Sequence, residues 1–465
     1  MNAKLKPYQK RKDSGVPWVS EVPVHWDVVP GRSCFAVKHR LNTGLSEKTV
    51  LSLSYGRIVV KSEDKLHGLV PASFESYQII EPGDIICRPT DLQNDRTSLR
   101  FGLSEHRGII TSAYICLRTL EEIGNRFGYF LLHAYDLNKV FYGLGSGLRQ
   151  NLDWQDFKTL PCLHPPLSEQ SAIVSFLDRM DRRIRNYIHA KQKLIKLLEE
   201  KKQAIIHRAV TRGLDPSVPL KPSGVEWLGD VPEHWEIVLN QRIFKEIIRP
   251  HGGEPETQLS LSQKDGLIAT SEMGERSLQT STFENWKVTL PGDLVLNRFK
   301  AHLGVFFAST LRGIVSFHYG VFTSRRKLAT KYFELLYHTN VYRTIYAGRS
   351  KGMTIGLQNL SNQDFYNVRS IVPPDHEQAE IISFVEKNTE RLNDAAQAAH
   401  NEVNLLREYR SRLISDVVTG KLDVRRVDLS AIGDVEVPEE YSDLLQCEEV
   451  MEDQELQEEI PVESD

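Results

Sequence analysis

Several residue groupings in this chain have types and spacings that could do chemistry. Gly143-Leu144-Gly145-Ser146-Gly147 could cradle a cofactor phosphate, but an isolated glycine pattern without a Rossmann-type acidic partner is a weak signal. The matching place later in the chain reads Gly348-Arg349-Ser350-Lys351-Gly352, which keeps the flexibility and adds positive charge. Neither Asp-Pro-Pro-Tyr nor Asn-Pro-Pro-Tyr, the signature of adenine methyltransferases, occurs, and no Gly-Lys-Ser/Thr phosphate loop is present. Cys162-Leu163-His164 is a lone Cys-x-His without a second cluster at zinc spacing, so it reads as a buried thiol beside a surface histidine. Glu284-Asn285-Trp286-Lys287 contains a Glu-x-Lys fragment with no counterpart carboxylate, and it sits in an alternating strand. These readings place no catalytic residue, metal site or cofactor in the chain.

Two polar loops remain. Arg88-Pro89-Thr90-Asp91-Leu92-Gln93-Asn94-Asp95-Arg96 and Asn297-Arg298-Phe299-Lys300-Ala301-His302 each follow a short apolar run and a Pro-Gly-Asp turn. Arg, Lys, Asn and Gln are the side chains that reach base edges, while contacts to phosphates position a protein without reading sequence. The candidate DNA-binding residues are therefore Arg88, Thr90, Gln93, Asn94 and Arg96 in the first loop, and Asn297, Arg298, Lys300 and His302 in the second. Arg149 and Gln150, with Arg349 and Lys351, form a second tier.

The elements that must position these loops are duplicated. Ser14-Gly15-Val16-Pro17-Trp18 through Val22-Pro23-Val24-His25-Trp26 recurs 209 residues later as Ser223-Gly224-Val225-Glu226-Trp227 through Val231-Pro232-Glu233-His234-Trp235. Pro82-Gly83-Asp84 matches Pro291-Gly292-Asp293, Gln150-Asn151-Leu152 matches Gln358-Asn359-Leu360, and Glu169-Gln170 matches Glu377-Gln378. The tryptophan pairs Trp18/Trp26 and Trp227/Trp235 read as packing anchors where a globular part meets a helix. Each globular part mixes short strands with helical stretches (Phe127 to Phe141; Lys331 to Tyr346), giving an α/β or mixed α+β class.

After Pro165-Pro166 and Pro373-Pro374 come the longest periodic stretches. Ile173, Leu177, Met180, Ile184, Tyr187, Lys191, Leu194, Leu198, Lys201 and Ile205 alternate gaps of four and three, with eight of ten apolar. Ile381, Val385, Asn388, Leu392, Ala395, Ala399, Glu402, Leu406, Tyr409 and Leu413 do the same. A helix of about 43 residues is roughly 65 Å long, well beyond an ordinary globular helix. Two such helices with matched seams are expected to pair, forming a rod between two heads.

The motif Ser-Gly-Val-x-Trp-x-x-x-Val-Pro-x-His-Trp, followed by Gln-Asn-Leu, Asp-Phe and the proline pair, resembles the repeat of Type I restriction-modification specificity subunits over residues 1–425. The resemblance implies two target-recognition domains, each reading part of a gapped double-stranded DNA site, joined by two long helices in an antiparallel coiled coil. It also implies that the helices fix the spacing and bind two modification (methyltransferase) subunits, with restriction (translocase/endonuclease) subunits added. On this reading S-adenosylmethionine, ATP and Mg belong to the partner subunits and none to this chain. The expected domains are 1–164 and 214–372 for recognition, with helices at 165–213 and 373–425 and an acidic, disordered tail at 426–465. Ile173, Leu177, Ile184, Leu194, Leu198, Ile381, Val385, Leu392, Leu406 and Leu413 are the expected partner-interface positions. A duplicated coiled-coil adaptor that reads no DNA sequence is the second reading.

Charge and cysteines fit a DNA-binding protein of the cytoplasm. Residues 434–465 hold fourteen Asp or Glu and no Lys or Arg, so the formal charge of −4 conceals a surplus of ten positive charges on residues 1–433. Five scattered cysteines suit reduced thiols, and no apolar run approaches the length of a membrane span.

Overall fold

The computed structural model describes residues 5–54, 56–61, 73–95, 99–145, 150–253, 256–263, 266–276, 283, 285–326, 328–352 and 358–432. Of the expected tail at 426–465, residues 433–465 lie outside them, while 426–432 are described and end in a 3-10 turn, Ser430–Ile432, whose Ile432 is buried. Among the described residues no helix is long and apolar enough to cross a membrane.

The chain divides into two compact units, residues 1–192 with 401–465, and residues 193–400. Each therefore contains one globular part and half of each long helix, which is a different division from the linear order of domains.

Every sheet occurs twice. In the first unit a four-stranded antiparallel sheet runs in the order Phe35–Val37, Ile115–Thr119, Ile85–Cys87, Phe101–Leu103. The second unit repeats it as Phe244–Glu246, Tyr319–Ser324, Leu294–Asn297, Phe306–Ala308. The opening motif forms a hairpin in both copies, Arg11–Val16 with Val19–Pro23 and Leu220–Pro222 with Asp230–Pro232. A helix covers each main sheet, Asn125–Leu137 in one and Thr330–Tyr337 in the other. Antiparallel sheets under segregated helices make these units mixed α+β.

The helical stretches are shorter than their apolar patterns suggest. The first stops at Leu137 because Lys139 takes a left-handed conformation (φ 59°), and a 3-10 turn, Val140–Gly143, follows. The second is two helices, Thr330–Tyr337 and Asn340–Arg349, with His338 and Thr339 between them.

The Pro-Gly-Asp turns do not close hairpins. Their flanking strands enter different sheets, and the aspartate bridges the gap. Asp84 Oδ2 accepts from the Glu81 N–H (2.7 Å) and from Lys38 Nζ (2.6 Å). Asp293 Oδ2 accepts from the Leu290 N–H (2.8 Å) and pairs with Arg249 (2.5 Å). Both carboxylates are buried, so they persist only because each has a cation and amide donors.

The long helices span Leu167–Arg212 and Asp375–Val418, 46 and 44 residues. Both follow the proline pairs, and left-handed glycines, Gly213 (φ 74°) and Gly420 (φ 72°), mark their ends. Within the first unit the helices run antiparallel: Asp181 pairs with Arg410 (2.5 Å) and Lys191 with Glu402 (2.6 Å), ten residues forward on one helix and eight back on the other.

The seams are displaced at every second position from the expected ones. In the first helix the inward residues are Ile184, Ile188, Lys191, Ile195, Leu198 and Lys202, while Tyr187, Leu194 and Lys201 face water. In the second they are Val385, Thr389, Leu392, Ala396, Ala399, Val403, Leu406, Arg410 and Leu413, with Asn388, Ala395, Glu402 and Tyr409 outside. Gaps of three-then-four and four-then-three share every other residue, and with apolar residues at both alternatives the sequence does not separate them.

Of the expected partner-interface positions, Ile173, Leu177, Ile184 and Leu413 are buried in the core of the first unit, and Ile381 and Val385 in that of the second. Leu198, Leu392 and Leu406 are half-buried on the seam, and Leu194 is exposed beside it.

The ends of the repeat also meet. Lys6 and Asp423 form a backbone bridge, Asp423 N–H donating to Lys6 O at 2.8 Å. At the offsets of the repeat both residues correspond to Asp215, where the second copy is one continuous chain.

Candidate nucleic-acid interface

Each of the two polar loops is framed by the same backbone contact. The Leu152 N–H donates to Pro89 O at 2.9 Å in the first unit, and the Leu360 N–H donates to Arg298 O at 3.0 Å in the second. These leucines belong to the repeated Gln-Asn-Leu motif, so that motif clamps the loop that follows the Pro-Gly-Asp strand.

In the first unit the clamp is extensive. Asp91 (φ 63°) and Gln150 (φ 47°) take left-handed turns, the Asp91 N–H donates to Asn151 Oδ1 (3.1 Å), and the Leu92 N–H donates to Gln150 O (3.4 Å). Leu92 is buried beneath the loop. Arg100, fully buried, donates to the carbonyls of Arg88 (3.3 Å), Thr90 (2.8 Å), Asp91 and Asp95, with its guanidinium 5.3 Å from the Tyr142 ring centre. Its backbone N–H donates to Asp136, whose carboxyl is pushed up to about 6 by burial. A buried planar cation satisfying four carbonyls holds an irregular loop in one shape.

On that frame Gln93 and Asn94 are exposed, Asn94 Nδ2 donating to Asp91 Oδ1 at 2.8 Å. Thr90 is half-buried, and Arg88 pairs with Asp95 at 3.3 Å. The structure thus brings Arg88, Thr90, Gln93, Asn94 and Gln150 together. Arg96 and Arg149 lie outside the described residues.

In the second unit the loop is a 3-10 turn, Arg298–Leu303. Asn297 is buried and caps it, its Oδ1 accepting from the Phe299 N–H at 3.1 Å, so that acceptor serves the fold. Arg298 pairs with Glu246 at 2.6 Å, and Asn362 Nδ2 also donates to Glu246. Lys287 lies 3.8 Å from the same carboxylate; burial and the Arg298 charge hold its ammonium below the usual lysine range. Lys300 and Arg349 are exposed. Lys351, 82% exposed, pairs through its backbone with Asn359 and lies 3.6 Å from Asp364. His302 sits in the turn, its side chain outside the described set.

Arg100 and Glu246, which fix the two loops, are legible only in the structure. Arg100 stands beside strand Phe101–Leu103 with no repeat partner to flag it, and Glu246 aligns with Val37. The Cys-x-His is structural: Cys162 is buried in the strand Pro161–His164, and His164 Nε2 lies 3.0 Å from Glu122 O. Among the described residues no group of three His, Cys, Asp or Glu could hold a metal.

The repeated Glu-Gln joins each head to its long helix. Glu377 accepts from Trp235 Nε1 (2.9 Å) and contacts His234 Nε2 (2.5 Å). Glu169 meets His25 Nε2 (2.8 Å) and the Tyr8 hydroxyl. Gln170 and Gln378 accept from Gly124 N–H (2.9 Å) and Ala329 N–H (3.0 Å), fastening the loop ahead of each covering helix. Trp26 and Trp235 are buried, and each lies against the glycine ending a long helix, Gly420 and Gly213 respectively.

A chain from a structure concerned with complex assembly and conformational transition of the type I R-M system matches 86% of this chain and 99% of its own, with a TM-score of 0.59 and 15% identity. The two chains share a fold. The HsdS subunit from Thermoanaerobacter tengcongensis (16% identity, 86% and 98% coverage, TM-score 0.42) is also similar. So is the Type-I restriction-modification S subunit from M. genitalium (13% identity, 89% and 99% coverage, TM-score 0.35). No model of a known protein family matches the sequence. At these identities the type I likeness is one of fold.

Proposed function

We propose that the chain is the DNA sequence-specificity subunit of a Type I restriction-modification complex, without catalysis of its own. One observation carries this reading: the frame is built twice, down to the Leu152–Pro89 and Leu360–Arg298 contacts, while the loops it holds differ in every exposed side chain. A repeated scaffold with divergent polar loops suits two target-recognition domains that read different halves of a bipartite, gapped double-stranded site.

The long helices serve as spacer and as docking site for two modification subunits, which carry S-adenosylmethionine, with ATP and Mg on the restriction subunits. Docking uses the outer faces of the helices, where Leu194 lies, because the seam is filled from within. Spacing set by the helices makes the gap a function of their length, as half-site spacing follows module spacing elsewhere. One heptad added to both helices would lengthen the recognised spacer.

Selection from a random duplex library by the chain with its partners tests the reading. A gapped consensus bound far above random DNA is the expected result. Partner assembly without sequence preference would favour the coiled-coil adaptor, and methylation or cleavage by the purified chain alone would make it an enzyme.

A further inference from the structure

The second unit carries an exposed aromatic cluster that its packing does not use. Phe299, in the turn Arg298–Leu303, is 37% exposed, and Phe317, between strands Gly313–Val315 and Tyr319–Ser324, is 49% exposed. The exposed His318 joins them, its ring centre 3.8 Å from that of Phe317 and 5.4 Å from that of Phe299. Single exposed apolar residues are ordinary, but three touching rings on two loop tips form a patch.

Cations flank this patch. Phe299 stands between Arg298 and the exposed Lys300. The Arg298 side chain approaches Gly320, two residues beyond His318, closely enough that a Cβ there would lie 3.4 Å from its Nε. Through Leu360 and Asn359 the backbone of Arg298 is linked to that of Lys351. In the first unit Thr90 aligns with Phe299, and Ser112 and Ala113 occupy the exposed tip between the corresponding strands. The aromatic group is thus particular to one unit.

We propose that Phe299, Phe317 and His318 form a wedge that enters a base-pair step of the half-site read by the second unit, while Lys300 and Lys351 contact neighbouring phosphates. This rests on the DNA-reading proposal above. Rings stack on the face of any base, and an apolar wedge unstacks a step and bends the duplex. The half-site is then expected to favour an easily unstacked pyrimidine–purine step at that place.

The test uses the full-length chain with its modification subunits and target duplexes carrying 2-aminopurine at successive positions in each half-site. Besides the signals at the adenines that the modification subunits extrude, wild type should give a fluorescence rise at one further step, in one half-site only. Phe299→Ala with Phe317→Ala should abolish the rise and weaken binding about 5- to 150-fold, with the salt dependence unchanged because no phosphate contact is lost. Phe299→Tyr with Phe317→Tyr keeps the rings and should restore both, which separates stacking from misfolding. Specific binding by wild type with no such further rise, or an alanine variant binding within twofold of wild type, would overturn the wedge. Absence of any sequence-specific binding by wild type would overturn the DNA reading, and the wedge with it.

Discussion

Trp235 Nε1 donates to Glu377 Oε2 at 2.9 Å, tying the opening motif of the second copy to the first turn of a helix that begins 140 residues later. In the first copy Glu169 keeps the equivalent histidine contact, to His25, and takes the Tyr8 hydroxyl in place of the indole. Glu377→Ala leaves the buried indole N–H without an acceptor, which costs about 1–3 kcal/mol. Chemical denaturation should show a loss near 2 kcal/mol; a change under about 0.5 kcal/mol would mean the contact is incidental.

Arg100 makes a separable prediction about the first loop. Arg100→Met removes a fully buried cation that holds four loop carbonyls. The freed carbonyls should lower stability by about 3 kcal/mol. Specificity should relax in one half-site and stay unchanged in the other, read by binding to singly substituted targets.

Each unit contains a neutral buried histidine whose imidazole is pushed down to about 4. For His133 the causes are burial and then Arg410, and for His338 burial and then Arg343. Above the ordinary histidine value near 6.5 both are neutral folded and unfolded, and contribute no pH dependence. As pH falls from about 6.5 to about 4, the unfolded chain takes up protons that the folded one refuses, so stability falls. The loss should reach at most about 3 kcal/mol per site. Denaturant midpoints at pH 7 and pH 5 should differ accordingly, and His133→Phe should flatten the profile.

Exposed cations and exposed amides should behave differently in DNA binding. Lys300→Ala or Lys351→Ala should weaken binding uniformly across sequences and reduce the salt slope by about one each. Gln93→Ala should leave the slope intact and relax preference at one base pair, by about 1–3 kcal/mol. Binding isotherms at several salt concentrations distinguish the two patterns.

The repeat made the frame legible in the sequence. Matching Glu-Gln, Gln-Asn-Leu and Pro-Gly-Asp motifs pointed to positions that the fold uses twice, and their backbone partners explain why the residue types recur. The tryptophans fell where packing anchors were expected, Trp26 and Trp235 both buried against helix ends. The seam register was only half readable, because Leu194 and Ile195 are equally apolar and the choice depends on the facing helix. Arg100 and Glu246 were hidden for a related reason. Their partners are backbone carbonyls or distant side chains that no local spacing reveals.

The most direct test of the central claim is methylome sequencing of a strain with and without this chain, its partner subunits present in both. One bipartite, gapped and asymmetric adenine-methylated motif is expected, and it should disappear entirely when the chain is removed. An identical set of methylated motifs in the two strains, with the complex expressed and assembled, would contradict that claim.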